Sequence, residues 1–358
     1  MAPPLLLHVY STFGVGGPQV RFAAIANHFG QRWRHVIVAM DGNTACRERL
    51  DPGLSVSFPD VGLHKGETTG NIRRIRAVLR EMRPRTLITS NWGSIEWAMA
   101  NALPLVRHVH LEDGFGPEER DRQLPRRVWT RRVFLRRSTV VVPSRVLERI
   151  ATEVWRLPRG RLRYVPNGID MGKFGTGGAA ENAVPVVGTV TALRAEKNLA
   201  RLVRAFRRVV DVMPATLVLV GDGPELPMLQ ALVAELGLGG TVRFTGHVAQ
   251  PQALYAGFDV FALSSDTEQM PLSVLEAMAA RLPVAATDVG DVREMLAEAN
   301  GRFVVPRDDG ALAEALAALL RDPARRGAIG ADNRAKAERD FDQATMFAAW
   351  AALFDGAG

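Results

Sequence analysis

The chain has 358 residues and a formal charge of +7, more length than one hydrophobic core usually serves, so two domains are expected. It is 47% hydrophobic and 23% charged, an ordinary balance for a soluble globular enzyme, and no apolar run reaches the roughly 18 to 20 residues that span a bilayer. A single cysteine, Cys46, excludes an internal disulfide and zinc-ligand spacing, and fits a reducing cytoplasm.

The start, MAPPLLLHVY, reads as a first strand from Leu5 to Tyr10 and not as a signal peptide. Ser11 to Pro18 is a glycine-bearing turn, and Val20, Ala23, Ala24, Ala26 and Phe29 then recur at helical spacing. Strand, glycine turn and helix suit an approaching phosphate, because Gly16 and Gly17 expose the backbone N–H groups of a helix start. The same glycines also suit a plain tight turn. Further strands are predicted at 36–40, 54–58, 86–89, 105–110, 139–142 and 161–165, with helices at 71–82, 95–100, 124–136 and 145–154. This alternation predicts a parallel sheet covered on both faces. Small residues without periodicity follow Asp170, so a linker is placed over 171–183 between domains at 1–170 and 184–340.

The second half repeats the pattern. Its strands are predicted at 186–190, 216–220, 242–244, 260–263 and 284–286. Its helices are predicted at 198–210, 224–236, 251–256, 271–280, 292–296 and 310–320. Residues 341–358 close with an amphipathic helix carrying Met346, Phe347, Trp350 and Phe354, which needs somewhere to pack. Asp308 and Asp309 read as a helix N-cap and not as metal ligands. Arginines cluster over 120–137, with Trp129, Val133 and Phe134 interleaved, and again over 73–85. Either these are solvated helix faces, or they attract an anionic membrane surface or a diphosphate. No nucleic-acid motif accompanies them.

The chemistry gathers at the ends of the second-half strands, where open α/β sheets hold ligands. Gly188 to Asn198, Gly221-Asp222-Gly223, and Gly246-His247 each follow a strand. Arg194 and Lys197 stand three apart, within reach of one anion, and a departing diphosphate needs such charge. Glu268 lies in the turn after Val260–Leu263, and Glu276 about two turns into the next helix. In the first half, His108, His110, Glu112 and Asp113 end a strand. An imidazole or carboxylate there can accept a hydroxyl proton, and spacing does not choose between the two histidines.

The run Glu268 to Glu276 resembles the E-x7-E motif of the retaining glycosyltransferases of family 4, the glycosyl transferases group 1. Arg194-Ala-Glu-Lys197-Asn198 resembles their R-x-x-K diphosphate element. Gly14 to Gly17, Pro166 to Asp170 and Gly221 to Pro224 match in kind and order, so the resemblance covers essentially the whole chain. It implies an α/β GT-B fold, two Rossmann-like domains facing a central cleft, with the last helix returning to the N-terminal domain. It implies transfer of a sugar from a UDP- or GDP-type nucleoside-diphosphate sugar, with retention, to a glycan or lipid-linked acceptor in cell-envelope synthesis. No metal or other cofactor is expected, and the place is the cytoplasm or the inner membrane face. By position, Glu276 meets the donor ribose and Glu268 the sugar. Met270, Pro271 and Leu272 bring backbone groups to sugar and phosphate, and Arg194 and Lys197 hold the diphosphate. Gly246 and His247 border the base, and His110 faces the sugar or acceptor hydroxyl, with Glu112 and Asp113 as acceptor contacts. Gln269 and Met270 depart from the family's usual E-G-F-G-L-P, which bears on sugar identity. A sugar-nucleotide epimerase of the same architecture and a non-catalytic sugar-binding protein are the alternatives.

Overall fold

The computed structural model describes residues 3–119, 122–175 and 182–356. The chain divides into two compact units, 1–166 with 346–358, and 167–345. The division falls at Pro166, ahead of the small-residue stretch, of which 176–181 lie outside the described residues.

The first unit is built on seven parallel strands. They are β1 (Leu5–Tyr10), β2 (Arg34–Ala39), β3 (Val56–Ser57), β4 (Thr86–Ser90), β5 (Arg107–Leu111), β6 (Thr139–Val142) and β7 (Leu162–Tyr164). Their order is β3-β2-β1-β4-β5-β6-β7. Strands β1 and β6 are buried at every position, which is why they read as near-continuous apolar runs, with His8 in β1 and Thr139 in β6, instead of alternating ones. The crossovers carry α1 (Gly17–Phe29), α2 (Thr68–Met82), α3 (Ile95–Ala100), α4 (Pro125–Phe134) and α5 (Arg145–Glu153). Helix α2 buries Asn71, Ile75 and Leu79, one residue per turn. Helix α5 is started by the Ser144 hydroxyl, which accepts from the Leu147 N–H, satisfying one orphan donor. The β3 edge is shorter than the 54–58 reading, because only His35 and Val36 of β2 offer it partners.

The second unit has six parallel strands. They are β8 (Val186–Val190), β9 (Thr216–Val220), β10 (Val242–Gly246), β11 (Val260–Leu263), β12 (Val284–Thr287) and β13 (Val304–Val305), in the order β10-β9-β8-β11-β12-β13. Its helices are α6 (Leu199–Val210), α7 (Leu226–Glu235), α8 (Gln252–Tyr255), α9 (Leu272–Ala279), α10 (Val292–Met295), α11 (Asp309–Leu320) and α12 (Pro323–Asp340). Asp308 caps α11 through the Ala311 N–H, as its sequence indicates. Val187, Leu217, Leu219, Val260 and Ala262 pack on one face of the sheet. Their chain neighbours Val220, Phe261 and Leu263 pack on the other. Neither β13 nor α12 is foreseen by periodicity. Helix α12 buries Arg326, Ile329, Gly330, Asn333 and Ala337, a helical stripe that is largely polar or small. Helix α13 (Gln343–Asp355) counts with the first unit from Met346 onward. There Met346, Phe347, Trp350, Leu353 and Phe354 pack on Leu6, Ile25, Trp33 and Ile88.

In each sheet the strand order reverses once, between β1 and β4 in the first unit and between β8 and β11 in the second. The crevice outside the carboxyl ends at such a reversal is where this class of sheet holds ligands. No described helix is long and apolar enough to cross a membrane.

Candidate active site

The loops after β8 and β11 flank the reversal in the second unit, and they are tied together side chain by side chain. The Lys197 ammonium lies 2.6 Å from Glu268 Oε1. The Ser265 hydroxyl donates to the same oxygen at 2.7 Å, so charge-assisted bonds hold that carboxylate from two sides. Beneath it, Ser264 donates to the Lys197 carbonyl at 3.0 Å, and Asp266 N–H to the Glu196 carbonyl at 2.8 Å. Arg201, buried on α6, donates at 2.8 Å to both the Ser264 carbonyl and Asp266 Oδ1. Thr287 at the end of β12 donates to the Ser265 carbonyl at 2.7 Å. Gly290, at φ +55°, backs the turn: an added Cβ would fall 2.3 Å from the Glu268 carbonyl oxygen. Only glycine tolerates both that approach and that backbone readily.

Glu276 sits on α9, half-buried, and its Oε2 accepts a 2.5 Å hydrogen bond from the Tyr255 hydroxyl. Burial pushes the Glu276 carboxyl above the usual range, against the lowering effect of that hydrogen bond. Burial and the nearby carboxylate push the Tyr255 phenol far upward. No side chain caps α9, which starts after Pro271, so its first N–H groups have no intrahelical partner.

Several expected contacts take other parts. Arg194 is exposed at the end of its loop, and the expected helix start there is a short 3-10 turn, Ala195–Lys197. Asn198 is the cap of α6, its Oδ1 accepting from the Arg201 N–H and its Nδ2 facing Asp266 at 3.2 Å. Both ends of that amide are thus engaged inside the unit. Gly188 lies within β8 and not in the turn after it; an added Cβ would fall 2.2 Å from Phe258. Its requirement is packing. Met270 is buried, with its sulfur accepting from the Asn167 N–H at 3.2 Å and its carbonyl from Asn167 Nδ2 at 2.9 Å. Its side chain therefore belongs to the core, leaving half-buried Gln269 as the side chain that departs at the surface. The Gly221 N–H donates to the Gly246 carbonyl at 3.0 Å, and the Leu193 N–H to the Asp222 carbonyl at 2.9 Å. A Cβ on Gly221 would strike the Thr191 carbonyl, and one on Gly223 the Leu193 carbonyl. Close passage of two backbones explains those two glycines. Asp222 and His247 are exposed on the same rim.

In the first unit Gly16 is the extended cap of α1, and Gly17 its first residue, with no side chain capping them. His108 and His110 share one face of β5, both buried, and both bond the Thr89 hydroxyl at 2.8 Å. His108 also meets Ser138 at 2.7 Å, and burial together with His110 lowers its pKa to about 3. His110 has no exposed surface. The expectation that Glu112 and Asp113 face an acceptor gives way to internal pairing. Glu112, fully buried, accepts from Arg131 Nε at 3.1 Å. Asp113 lies 2.7 Å from Arg21 of α1. Arg131 also grips Glu119 with both terminal nitrogens, at 3.2 and 3.1 Å.

Residues 178–336 match the family described as glycosyl transferases group 1, and residues 15–173 match glycosyltransferase family 4. The chain belongs to this glycosyltransferase family. Anabaena HepE in complex with UDP and glucose superposes with a TM-score of 0.81 at 19% identity, over 99% of this chain and 100% of that one. WaaG, a glycosyltransferase involved in lipopolysaccharide biosynthesis, gives 0.73 at 17% identity, over 98% and 100%. The fold is GT-B. A GDP-mannose-dependent phosphatidylinositol monomannoside mannosyltransferase of Mycobacterium tuberculosis is 35% identical over 199 residues, 49% of this chain and 51% of that one. The lipopolysaccharide core glycosyltransferase LpsD of Rhizobium meliloti is 33% identical over 160 residues, 44% of this chain and 46% of that one. This chain spans about half the length of the curated relatives it matches.

In this chain the motif glutamates were legible, and their supports were not read. Ser265 and Asp266 stand in a polar triplet right after an apolar strand, a readable signal. Tyr255 and Gly290 lie well away in sequence and meet the motif only through the fold.

Proposed function

We propose that this chain moves a glycosyl group from a nucleoside-diphosphate sugar, of UDP or GDP type, to an acceptor hydroxyl with retention at the anomeric carbon. The observation that carries the reading is the Lys197–Glu268–Ser265 cluster, with Glu276 on the adjoining helix, at the strand-order reversal of the second unit. Lys197 and Arg194 meet the diphosphate, Glu276 the ribose, and the first N–H groups of α9 the sugar or phosphate oxygens. The bond from the anomeric carbon to the diphosphate breaks as the bond to the acceptor oxygen forms on the same face. The acceptor proton passes to the departing diphosphate oxygen. Glu268, already held by Lys197 and Ser265, positions and does not attack. Lys197 and Arg194 answer the growing charge without a metal ion.

The acceptor in this reading is a glycan or lipid-linked sugar met at an anionic membrane face. In support, α4 exposes Arg126 and Trp129 with Val133, beside exposed Arg136 and Arg137. Arg127 and Arg131 of the same helix turn inward to Glu118, Glu119 and Glu112. Loss of binding to phosphatidylglycerol vesicles when Arg126, Arg136 and Arg137 are neutralised is the expected result; unchanged binding removes the membrane part.

The decisive experiment starts with a thermal-shift panel of UDP-, GDP-, ADP- and dTDP-sugars, since a ligand of the native state raises its stability. The stabilising donor is then assayed with acceptor glycans, with and without EDTA, and the product anomer is read by NMR. Undiminished transfer by a Glu268→Ala, Lys197→Ala double variant would sink the site, and an inverted product would sink retention. A changed sugar formed without acceptor would point to epimerisation.

A further inference from the structure

Glu276 is an incompletely partnered carboxylate in a largely apolar setting. Its neighbours on α9, Val274, Leu275, Ala277 and Met278, are core residues. No described cation pairs with it; Arg334 of the adjacent α12 spends one guanidinium nitrogen on the Ala279 carbonyl instead. Among the described residues its one hydrogen-bond partner is the Tyr255 hydroxyl, at 2.5 Å on Oε2. Oε1 has no such partner, and it is not among the enclosed orphan atoms.

Tyr255 is itself rigidly seated. It ends the short helix α8, has no exposed surface, and lies nearly parallel to Phe261 of β11 at 5.8 Å between centroids. Phe174 and Phe258 close on its ring, each at 5.8 Å. Such a ring has no other rotamer to adopt without opening the core. An ionised carboxylate only accepts, so the phenol must be the donor.

We propose that Tyr255 is a positioning residue for the donor: it occupies Oε2 of Glu276 and so presents Oε1, alone and in one orientation, to a ribose hydroxyl. This rests on the reading of Glu276 as the ribose contact. The bond has two consequences. It fixes which oxygen the ribose meets, removing a rotational freedom that binding would otherwise have to freeze. It also keeps the carboxyl ionised at lower pH than burial alone would allow, since the hydrogen bond favours the charged form. Among the described residues, Tyr255 is the titratable group that hydrogen-bonds Glu276.

The test uses the full chain with the nucleoside diphosphate, UDP or GDP, that the thermal-shift panel selects, and its 2′,3′-dideoxy counterpart, titrated calorimetrically from pH 5 to 8. Tyr255→Phe keeps the ring and every apolar contact. It should weaken the ribonucleotide about tenfold, a 1.4 kcal/mol effect, leave the dideoxynucleotide unchanged, and move the acid limb of binding to higher pH. Glu276→Asp, which draws the carboxylate back from the phenol, should show the same selective loss. Equal weakening of both nucleotides, or unaltered ribose preference and pH limb in Tyr255→Phe, overturns the positioning role. If Glu276→Gln retains full ribose preference, the ribose reading itself falls and the role of Tyr255 with it.

Discussion

Replacing Arg131 by methionine should unfold the first unit more readily than any surface change. Its guanidinium is 1% exposed and serves two carboxylates that are both fully enclosed, Glu112 and Glu119. The Trp92, Phe115 and Trp155 rings stand 5.3, 5.3 and 5.0 Å from its centre. Methionine fills much of the volume but leaves Glu112 with only the His110 Nε2 nearby, at 3.6 Å, and Glu119 with Arg127 and the Leu124 N–H. Breaking a buried charge network from one side costs about 3–5 kcal/mol. Glu112→Gln is milder, because Arg131 retains both bonds to Glu119; a loss of about 1–2 kcal/mol is expected. The assay is urea unfolding followed by tryptophan fluorescence. All six tryptophans, Trp33, Trp92, Trp97, Trp129, Trp155 and Trp350, belong to the first unit, so the signal reports that unit alone. A loss below about 1 kcal/mol for Arg131→Met, the range of an exposed pair, would refute the reasoning. So would a Glu112→Gln variant that keeps full stability yet loses transfer, since that would return Glu112 to the substrate.

The first unit should also be acid-sensitive. His8, His35 and His108 are held neutral by burial, His35 at about 4 and His108 at about 3. Their pKa values are lower folded than unfolded, so their contribution is complete above about pH 6.5 and is lost on acidification toward the folded values. Fluorescence-detected Tm should fall as pH drops from 6.5 to 4, and a flat profile would contradict this. Gly290→Ala forces a Cβ against the Glu268 carbonyl; donor affinity should drop several-fold in a titration, with retained affinity counting against the turn's role. Trp350→Ala should remove about 3–5 kcal/mol in the same urea assay, from its place among Leu6, Ile25 and Phe354.

Strands were legible wherever burial on both faces produced a continuous apolar run, as in Thr139–Val142 and Val260–Leu263. Helix α12 escaped because its inward stripe is Arg326, Gly330, Asn333 and Ala337 around a lone Ile329. Asn333 spends its amide on the Leu282 carbonyl and Asn300, and Gly330 admits the Arg281 carbonyl. A helix that docks through hydrogen bonds and backbone approach leaves no hydrophobic period to read. At the site, Glu268 and Lys197 could be marked by residue type and local spacing, because each lies in a loop that follows its own strand. The inward roles of Gly188 and of the Met270 side chain had no local sign, because a glycine or methionine beside a motif can equally be answering Phe258 or Asn167 on the inner side. Tyr255 carried no local sign of its role, since an aromatic in a short apolar segment is usually core, and this one is core and hydrogen-bond donor together.

The first unit is assembled from both sides of the second. Strands β1 to β7 are made early, yet Met346, Phe347, Trp350, Leu353 and Phe354 arrive only after residues 167–345 have been synthesised. At ordinary elongation speeds that interval is roughly 10 to 40 s. Leu6, Ile25 and Ile88 must pass it without their permanent cover, while the second unit, continuous in sequence, can complete itself first. The order of birth on the ribosome is therefore the reverse of the order of completion, and the earliest residues of the chain are among the last to be sealed.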